Sequence, residues 1–255
     1  MPQIGRQSAP TGPPARSAEY EQSAFQLTTS NLPGGDRAIA PRKKKPPSRA
    51  GLAEYKRKRD FKRTPEPAPR PARSATRRSF VIQKHRATAL HYDFRLEIGN
   101  AMPSWAVPKG PSFDPSQKRL AMQVEDHPLE YAGFEGVIPE GEYGGGTVMI
   151  WDEGTYEMLD DVDPAVALKK GELRFTLDGR KLKGRWTLVR TGPQKWLLIK
   201  GRDTQADTTD VTLAQPRSVR TKRLLAEIAR DEGGDVEKAA TGDPTAAKTS
   251  RTAKR

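Results

Sequence analysis

The chain has 255 residues, no cysteine, 34% hydrophobic residues, 22 prolines and a formal net charge of +13. Without cysteine there is no disulfide framework, thiolate nucleophile or zinc–thiolate cluster, and no stretch approaches the roughly 20 apolar residues of a membrane span. The N-terminus MPQIGRQSAPTGPPARS lacks an apolar signal core, so a soluble, cytoplasmic, nucleoid-associated protein with no membrane partner is expected.

The charge is unevenly spread. Residues 1–79 hold 18 Lys/Arg against 6 Asp/Glu and 12 of the prolines, whereas residues 80–200 are nearly neutral, with 16 against 17. Residues 1–50, with the run Arg42-Lys43-Lys44-Lys45, read as a disordered basic arm that cannot bury a core. Such an arm attracts polyanions in a salt-dependent way without reading their sequence. A short helix is predicted over 51–63 (GLAEYKRKRDFKR), ended by Pro65-Glu66-Pro67-Ala68-Pro69.

From Phe80 the pattern changes to strands, predicted over 80–84, 89–98, 104–107, 119–126, 147–152, 172–177, 185–190 and 195–200. Short strands between Gly, Pro and Asp turns make the chain mainly β, a barrel or sandwich occupying residues 51–210. A helix over 163–170 is bounded by a capping Asp163, Pro164 and a terminating Gly171. A last helix is predicted over 218–230 within a C-terminal segment 211–232, with Leu224, Leu225 and Ile228 as its stripe, and residues 233–255 read as a disordered tail.

The chemistry gathers in one window. All three histidines, His85, His91 and His127, lie within 43 residues, and two open the string His85-x5-His91-x-Asp93-x-Arg95. Between Ala89 and Ile98 the even positions are apolar and the odd ones polar, so His91, Asp93 and Arg95 project from one face of a half-buried strand, about 7 Å apart. In Arg119–His127 a second alternation buries Leu120, Met122 and Val124 and places Arg119, Gln123, Glu125 and His127 opposite. If both polar faces line one barrel mouth, they form a single cluster.

Two imidazoles and one carboxylate without thiolate suit Mn²⁺, Fe²⁺ or Zn²⁺ and leave coordination positions open. Arg95, Lys109 and Arg119 nearby would bind phosphate oxygens, and His127, if not a ligand, has a pKa suited to proton transfer. Phosphoester chemistry is favoured. Two alternatives stay open: a non-haem Fe(II) oxygenase using His91, Asp93 and His127 as a facial triad, and a non-catalytic nucleic-acid-binding barrel with histidines and Tyr131 on bases. The string Gly141-Glu142-Tyr143-Gly144-Gly145-Gly146 leads into a strand and lacks the ending of a phosphate-binding loop, so it reads as a tight connection.

The segments LAEYKRKRDFKRTPEP (52–67), FVIQKHRATALHYDFRLE (80–97), SWAVPKGPS (104–112), MQVEDHPLEYAGFEGVIPEGEYGGG (122–146) and KLKGRWTLVR with WLLIKGRD (181–203) resemble the 3′-phosphoesterase domain of bacterial and archaeal DNA ligase D. The resemblance spans residues 52 to about 207. It implies a compact closed β-barrel with flanking short helices and a manganese-dependent enzyme of non-homologous end joining. That enzyme would remove a 3′-terminal ribonucleoside and then the remaining 3′-phosphate from primer-template DNA. Carried over by motif, His85, His91 and Asp93 resemble the family's metal ligands, and Arg95, His127 and Tyr131 its phosphate-contacting and catalytic groups. Lys109, Arg119 and Glu125 fall in matching segments. Arg59, Asp60 and Glu66 match its N-terminal active-site element.

In the familiar arrangement this domain is fused to ligase and polymerase domains. Nothing in this sequence resembles either, so the protein is expected to act alone or to meet a DNA ligase and a Ku-type protein in trans, with the arm supplying DNA affinity. Deleting residues 1–50 should weaken DNA binding at moderate salt while sparing activity on short substrates at low salt; binding isotherms across a salt series check this, and an unchanged salt slope would refute it.

Overall fold

The computed structural model describes residues 52–69 and 78–245. The arm over 1–50 and the end of the C-terminal tail lie outside the described residues. Nine antiparallel strands follow in chain order: β1 (Arg78–Arg86), β2 (Leu90–Leu96), β3 (Met102–Val107), β4 (Arg119–His127), β5 (Gly136–Ile138), β6 (Gly146–Met158), β7 (Glu172–Gly179), β8 (Lys183–Arg190) and β9 (Lys195–Lys200). The sheet runs β1-β2-β3-β4-β9-β8-β7-β6, and pairing of β6 with β1 closes it into an eight-stranded barrel. β5 adds to the start of β6 outside the ring. The eight predicted strands are present. β5 escapes sequence reading because three residues are too few to show a period.

Alternation divides the wall into two faces. Phe80 and Ile82 of β1, Tyr92, Phe94 and Leu96 of β2, and Trp105 and Val107 of β3 point into one core with Met149, Trp151, Phe175, Trp186, Leu188 and Trp196. All four tryptophans are buried there, Trp105 and Trp196 meeting edge to face at 5.5 Å. Each such side chain contributes about 1.5–3 kcal/mol on burial. The odd-numbered residues of β1 and β2 therefore lie on the outer wall.

Among the described residues five short helices flank the barrel: α1 (Ala53–Arg57), α2 (Pro164–Lys170), α3 (Val211–Ala214), α4 (Leu225–Asp231) and α5 (Val236–Ala240). For α2 the predicted signals act as read. Asp163 accepts hydrogen bonds from the Ala165 and Val166 amides, and Gly171 ends the helix at φ 93°. The predicted helix over 51–63 is shorter, because the Asp60 carboxylate and carbonyl turn the chain by accepting from Lys62 and Arg63.

Three further expectations are corrected. The helix predicted over 218–230 begins only at Leu225, since Ser218 Oγ accepts from the Arg220 and Thr221 amides and Lys222 adopts φ 64°. The segment from 233 is not structureless: α5 packs Ala239 into the barrel core. In β4 the face assignment changes, because Ala121 occupies the core and Leu120 is 44% exposed. Gln123 pairs with Trp105, whereas His127 pairs with Met102, so β4 carries one residue more than β3 between these points. That bulge shifts the period.

Asp243 fastens the C-terminal helices. Its carboxylate accepts from the Leu225 and Ala226 amides at the start of α4 and lies 3.7 Å from Nζ of Lys84, which is 1% exposed. Burial pushes the Lys84 ammonium down, and Asp243 is the charge that opposes this. Asp243→Ala leaves that cation without its partner and should cost about 3 kcal/mol, lowering Tm by roughly 6–12 °C. Thermal unfolding of Asp243→Ala beside Asp243→Ala/Lys84→Met checks it, the double variant recovering much of the loss.

Candidate active site

The outer faces of β1 and β2 meet in register, with His85 opposite His91, Gln83 opposite Asp93 and Val81 opposite Arg95. Directly opposed side chains stand close enough to share a ligand. Asp93 Oδ2 is 3.8 Å from His85 Nδ1 and 3.6 Å from His91 Nε2. One donor atom from each of the three residues lies within 4.8 Å of the others.

Both rings are aimed from behind. His85 Nε2 donates to the Gly144 carbonyl at 2.9 Å and His91 Nδ1 to the Ala89 carbonyl at 3.0 Å. This places the protons on the outer nitrogens and leaves Nδ1 of His85 and Nε2 of His91 as lone pairs facing Asp93. Burial raises the Asp93 carboxyl, but the Arg95 charge beside it outweighs this and holds the group well below the carboxylate range. Two imidazole lone pairs, one carboxylate and backbone carbonyls behind the rings fit a divalent transition metal.

Arg95 joins this trio to the remaining cluster. Its Nη2 donates to Asp93 Oδ2 at 3.0 Å, its Nε to Gln83 Oε1 at 2.8 Å, and its Nη1 lies 2.9 Å from His127 Nδ1. Gln83 is itself held by donating to the Tyr131 and Phe134 carbonyls. Tyr131 sits in a single 3₁₀ turn, Leu129–Gly133, with its ring 4.9 Å from the Arg95 guanidinium and 4.7 Å from His127. Burial, reinforced by Glu66, pushes the Tyr131 phenol well up, so it remains protonated at neutral pH.

The segment 52–69 covers the cluster from outside. Arg59 donates from Nε to Glu66 at 2.9 Å and from Nη1 to Glu125 at 3.3 Å, and its Nη2 lies 3.3 Å from His127 Nε2. Thr64 donates to the other Glu66 oxygen. Tyr55 underlies Arg59 at 3.9 Å and is pinned by its hydroxyl to the Pro67 carbonyl. Lys58 binds the second Glu125 oxygen and the Tyr143 hydroxyl.

His127 is 4% exposed. Burial, then the charges of Arg95 and Arg59, holds it well below the imidazole range, so it stands neutral here instead of near its unperturbed pKa. Its Nδ1 also lies 2.9 Å from the Glu125 carbonyl. A proton at Nδ1 serves that carbonyl and lets Nε2 accept from Arg59.

Not every sequence candidate enters the cluster. His85, His91, Asp93, Arg95, His127, Tyr131, Arg59, Glu66 and Glu125 do. Asp60 is exposed and caps its own turn. Lys109 is exposed on the turn after β3. Arg119 opens β4, its Nε buried without a hydrogen-bond partner among the described residues and its charge acting on Asp114. Nor do the polar faces line a barrel mouth: the barrel interior is filled by aromatic side chains, and the cluster sits on the outer wall.

The two competing chemistries lose their geometry. His127 contacts Arg95 and Arg59 and is not among the three converging ligands, so His91, Asp93 and His127 form no facial triad. Tyr131 and His127 are too deeply buried to stack on bases. Sequence reading missed Gln83, Tyr55, Lys58, Thr64 and the Gly144 carbonyl. Gln83 carried one signal, a polar residue in step with His85 on a strand.

The outer wall of the antiparallel barrel thus carries a His-His-Asp trio that could hold a metal ion, beside two buried guanidiniums. Residues 83–190 match the family model described as the DNA ligase D 3′-phosphoesterase domain, and this part of the chain is such a domain. It is 54% identical over 188 residues to the multifunctional non-homologous end joining protein LigD of Pseudomonas aeruginosa, covering 70% of this chain and 22% of that protein. It is 49% identical over 150 residues to the LigD of Mycobacterium tuberculosis, covering 57% and 19%. With the LigD of Mycolicibacterium smegmatis it shares 42% over 161 residues, covering 60% and 21%. The chain thus spans about a fifth of the length of these relatives. Among the described residues no helix is long and apolar enough to cross a membrane.

Beside the cluster, burial and then the Glu125 charge push the Asp126 carboxyl up to about 6. The folded state keeps a proton that the unfolded chain releases near pH 4, so stability falls as pH rises from about 4 to 6 and is level above. Asp126→Asn should therefore be more stable than wild type at pH 7.5, by about 1–2 kcal/mol after discounting for partial exposure, and equal to it at pH 4. Urea unfolding at the two pH values checks this.

Proposed function

We propose that this protein is a manganese-dependent phosphoesterase that heals DNA 3′ ends in non-homologous end joining. It hydrolyses the phosphodiester bond to a 3′-terminal ribonucleoside, releasing that nucleoside and leaving a 3′-phosphate. It then hydrolyses the phosphate to leave a 3′-hydroxyl on the primer of a primer-template. A DNA ligase activity and a Ku-type protein act with it on the same ends.

The observation that carries this reading is the contact of Arg95 with Asp93. It sets a guanidinium against the carboxylate of a metal-ligand trio, and a phosphate is the ligand that needs both a divalent cation and a planar cation at once. A Mn²⁺ ion held by His85, His91 and Asp93 would supply Lewis acidity toward a phosphate oxygen.

The chain's own groups do the rest. With the His127 proton on Nδ1, Arg95 Nη1 faces a nitrogen that has no lone pair to offer, and this donor is left for an incoming oxyanion. Arg59, restrained by Glu66 and Glu125, presents a second guanidinium on the opposite side of the ring. These donors are fixed before substrate arrives, which is what stabilising charge in a phosphoryl transition state requires. Neutral His127 and protonated Tyr131 are positioned to exchange or donate a proton at the phosphate and the leaving oxygen.

A primer-template ending in one 3′-ribonucleotide, incubated with and without Mn²⁺, tests the reading. Wild type should yield the 3′-phosphate and then the 3′-hydroxyl. His91→Ala should lose metal binding and both products by more than about 100-fold, whereas His127→Ala should keep the metal and lose turnover. A folded, metal-loaded preparation that forms neither product would overturn the reading.

A further inference from the structure

The loop from Pro139 to Gly145 is clasped at three successive residues. Arg63 bonds Glu142 at 3.1 Å, Lys58 donates to the Tyr143 hydroxyl at 3.0 Å, and the Gly144 carbonyl holds the metal-ligand candidate His85. Gly146 ends the loop where an added Cβ would stand 2.2 Å from the Arg86 carbonyl, so the chain passes there only as glycine. The loop is therefore fixed against both β1 and the segment 52–69.

Yet the aromatic ring at its centre stays in solvent. Tyr143 is 48% exposed, whereas Tyr55, Tyr92, Tyr131 and Tyr156 are buried. Its phenol is tethered and its ring is half exposed with Lys58 over one side, an arrangement that holds a flat apolar surface in a set orientation. Lys58 lies 4.3 Å from the ring centroid and Arg59 5.6 Å.

Tyr143 forms one wall of a cleft of about 660 Å³ whose other walls include Gln123, Glu125, Asp126 and Gln194. That volume is in the range of about 300–1,000 Å³ typical of small-molecule sites. Glu125 is shared with the cluster, since its second oxygen holds Arg59. Carboxylates outnumber the single lysine along the cleft, so it repels phosphate and DNA backbone. Carboxylates and amides instead accept from and donate to sugar hydroxyls and base edges.

We propose that this cleft receives the 3′-terminal nucleoside, the group released in the first cleavage, with its base stacked on the exposed ring of Tyr143. The inference rests on the 3′-end phosphoesterase reading and adds to it a subsite for the leaving group. Stacking accepts any base, because every base has a π-face. Selectivity would then lie in the sugar and in the presence of a base, not in base identity. Once the nucleoside has left, the cleft plays no part in removal of the phosphate.

Full-length wild type, Tyr143→Ala and Tyr143→Phe are compared on three primer-templates, ending in a ribonucleotide with adenine, in the same ribonucleotide without a base, and in a 3′-phosphate. In wild type, loss of the base should raise KM about tenfold, the effect of one stacked base. In Tyr143→Ala the KM for the adenine-bearing end should rise by the same factor and the base effect should vanish, while kcat/KM on the 3′-phosphate end stays within about twofold. Tyr143→Phe, which keeps the ring but not the tether, should restore most of the base effect. An equal base effect in wild type and Tyr143→Ala would overturn the proposal, as would an equal fall of kcat on all three ends, the signature of a disturbed His85. Anisotropy titration of the same primers decides the base contact apart from turnover. A Tyr143-dependent base effect on Kd upholds the subsite even where no product forms and the parent reading fails, and its absence refutes the subsite whether or not product forms.

Discussion

The Arg95 guanidinium, fixed on three sides, is the interaction on which the site depends. Gln83 holds its Nε, Asp93 its Nη2, and His127 stands against its Nη1. The residue is 2% exposed, and a charge at that depth persists only when it is paired, here with Asp93. Through it, the His-His-Asp trio of β1 and β2 and the imidazole of β4 become one electrostatic unit. Gln83 positions it by spending both of its own amide hydrogens on backbone carbonyls of the 3₁₀ turn, so the turn and the strand set the guanidinium plane together.

A barrel is well suited to such a unit because its wall is filled from one side only. Tryptophan and phenylalanine inside leave no room for movement of the strands, and the outward residues inherit that rigidity. The outer face would by default meet water. Here it is covered by the segment 52–69, whose Arg59 is bound between Glu66 and Glu125 and packed on Tyr55. The glycine loop closes the other side. Cations and carboxylates alternate through the cluster, so it is close to neutral in itself and gains most from a ligand that brings a cation and an anion together.

Much of the barrel was legible because alternation is local. Eight strands, the capped helix α2 and the shared face of His91, Asp93 and Arg95 follow from spacing alone. The errors came where tertiary contacts overrode a local pattern. One extra residue in β4 moved Ala121 into the core and Leu120 out of it, and only pairing with β3 reveals it. Lys84 drew Asp243 to the barrel and with it a C-terminal segment whose composition reads as tail. The split of the histidines, two beside Asp93 and one beside Arg95, was legible only through family resemblance.

By itself the sequence determined the β character, the outward row of His91, Asp93 and Arg95, and the concentration of basic charge before residue 80, since each depends on neighbours along the chain. The tertiary structure alone decided that His85 faces His91 across a register and that His127 joins Arg95 and not the trio. It also brought Arg59, which the resemblance had matched to an active-site element, against His127 and Glu125, and set the Gly144 carbonyl on His85. Apart from the β1–β2 hairpin, those contacts join residues tens of positions apart, and the closing of the barrel and the folding of segment 52–69 over its wall are what bring them within hydrogen-bond distance.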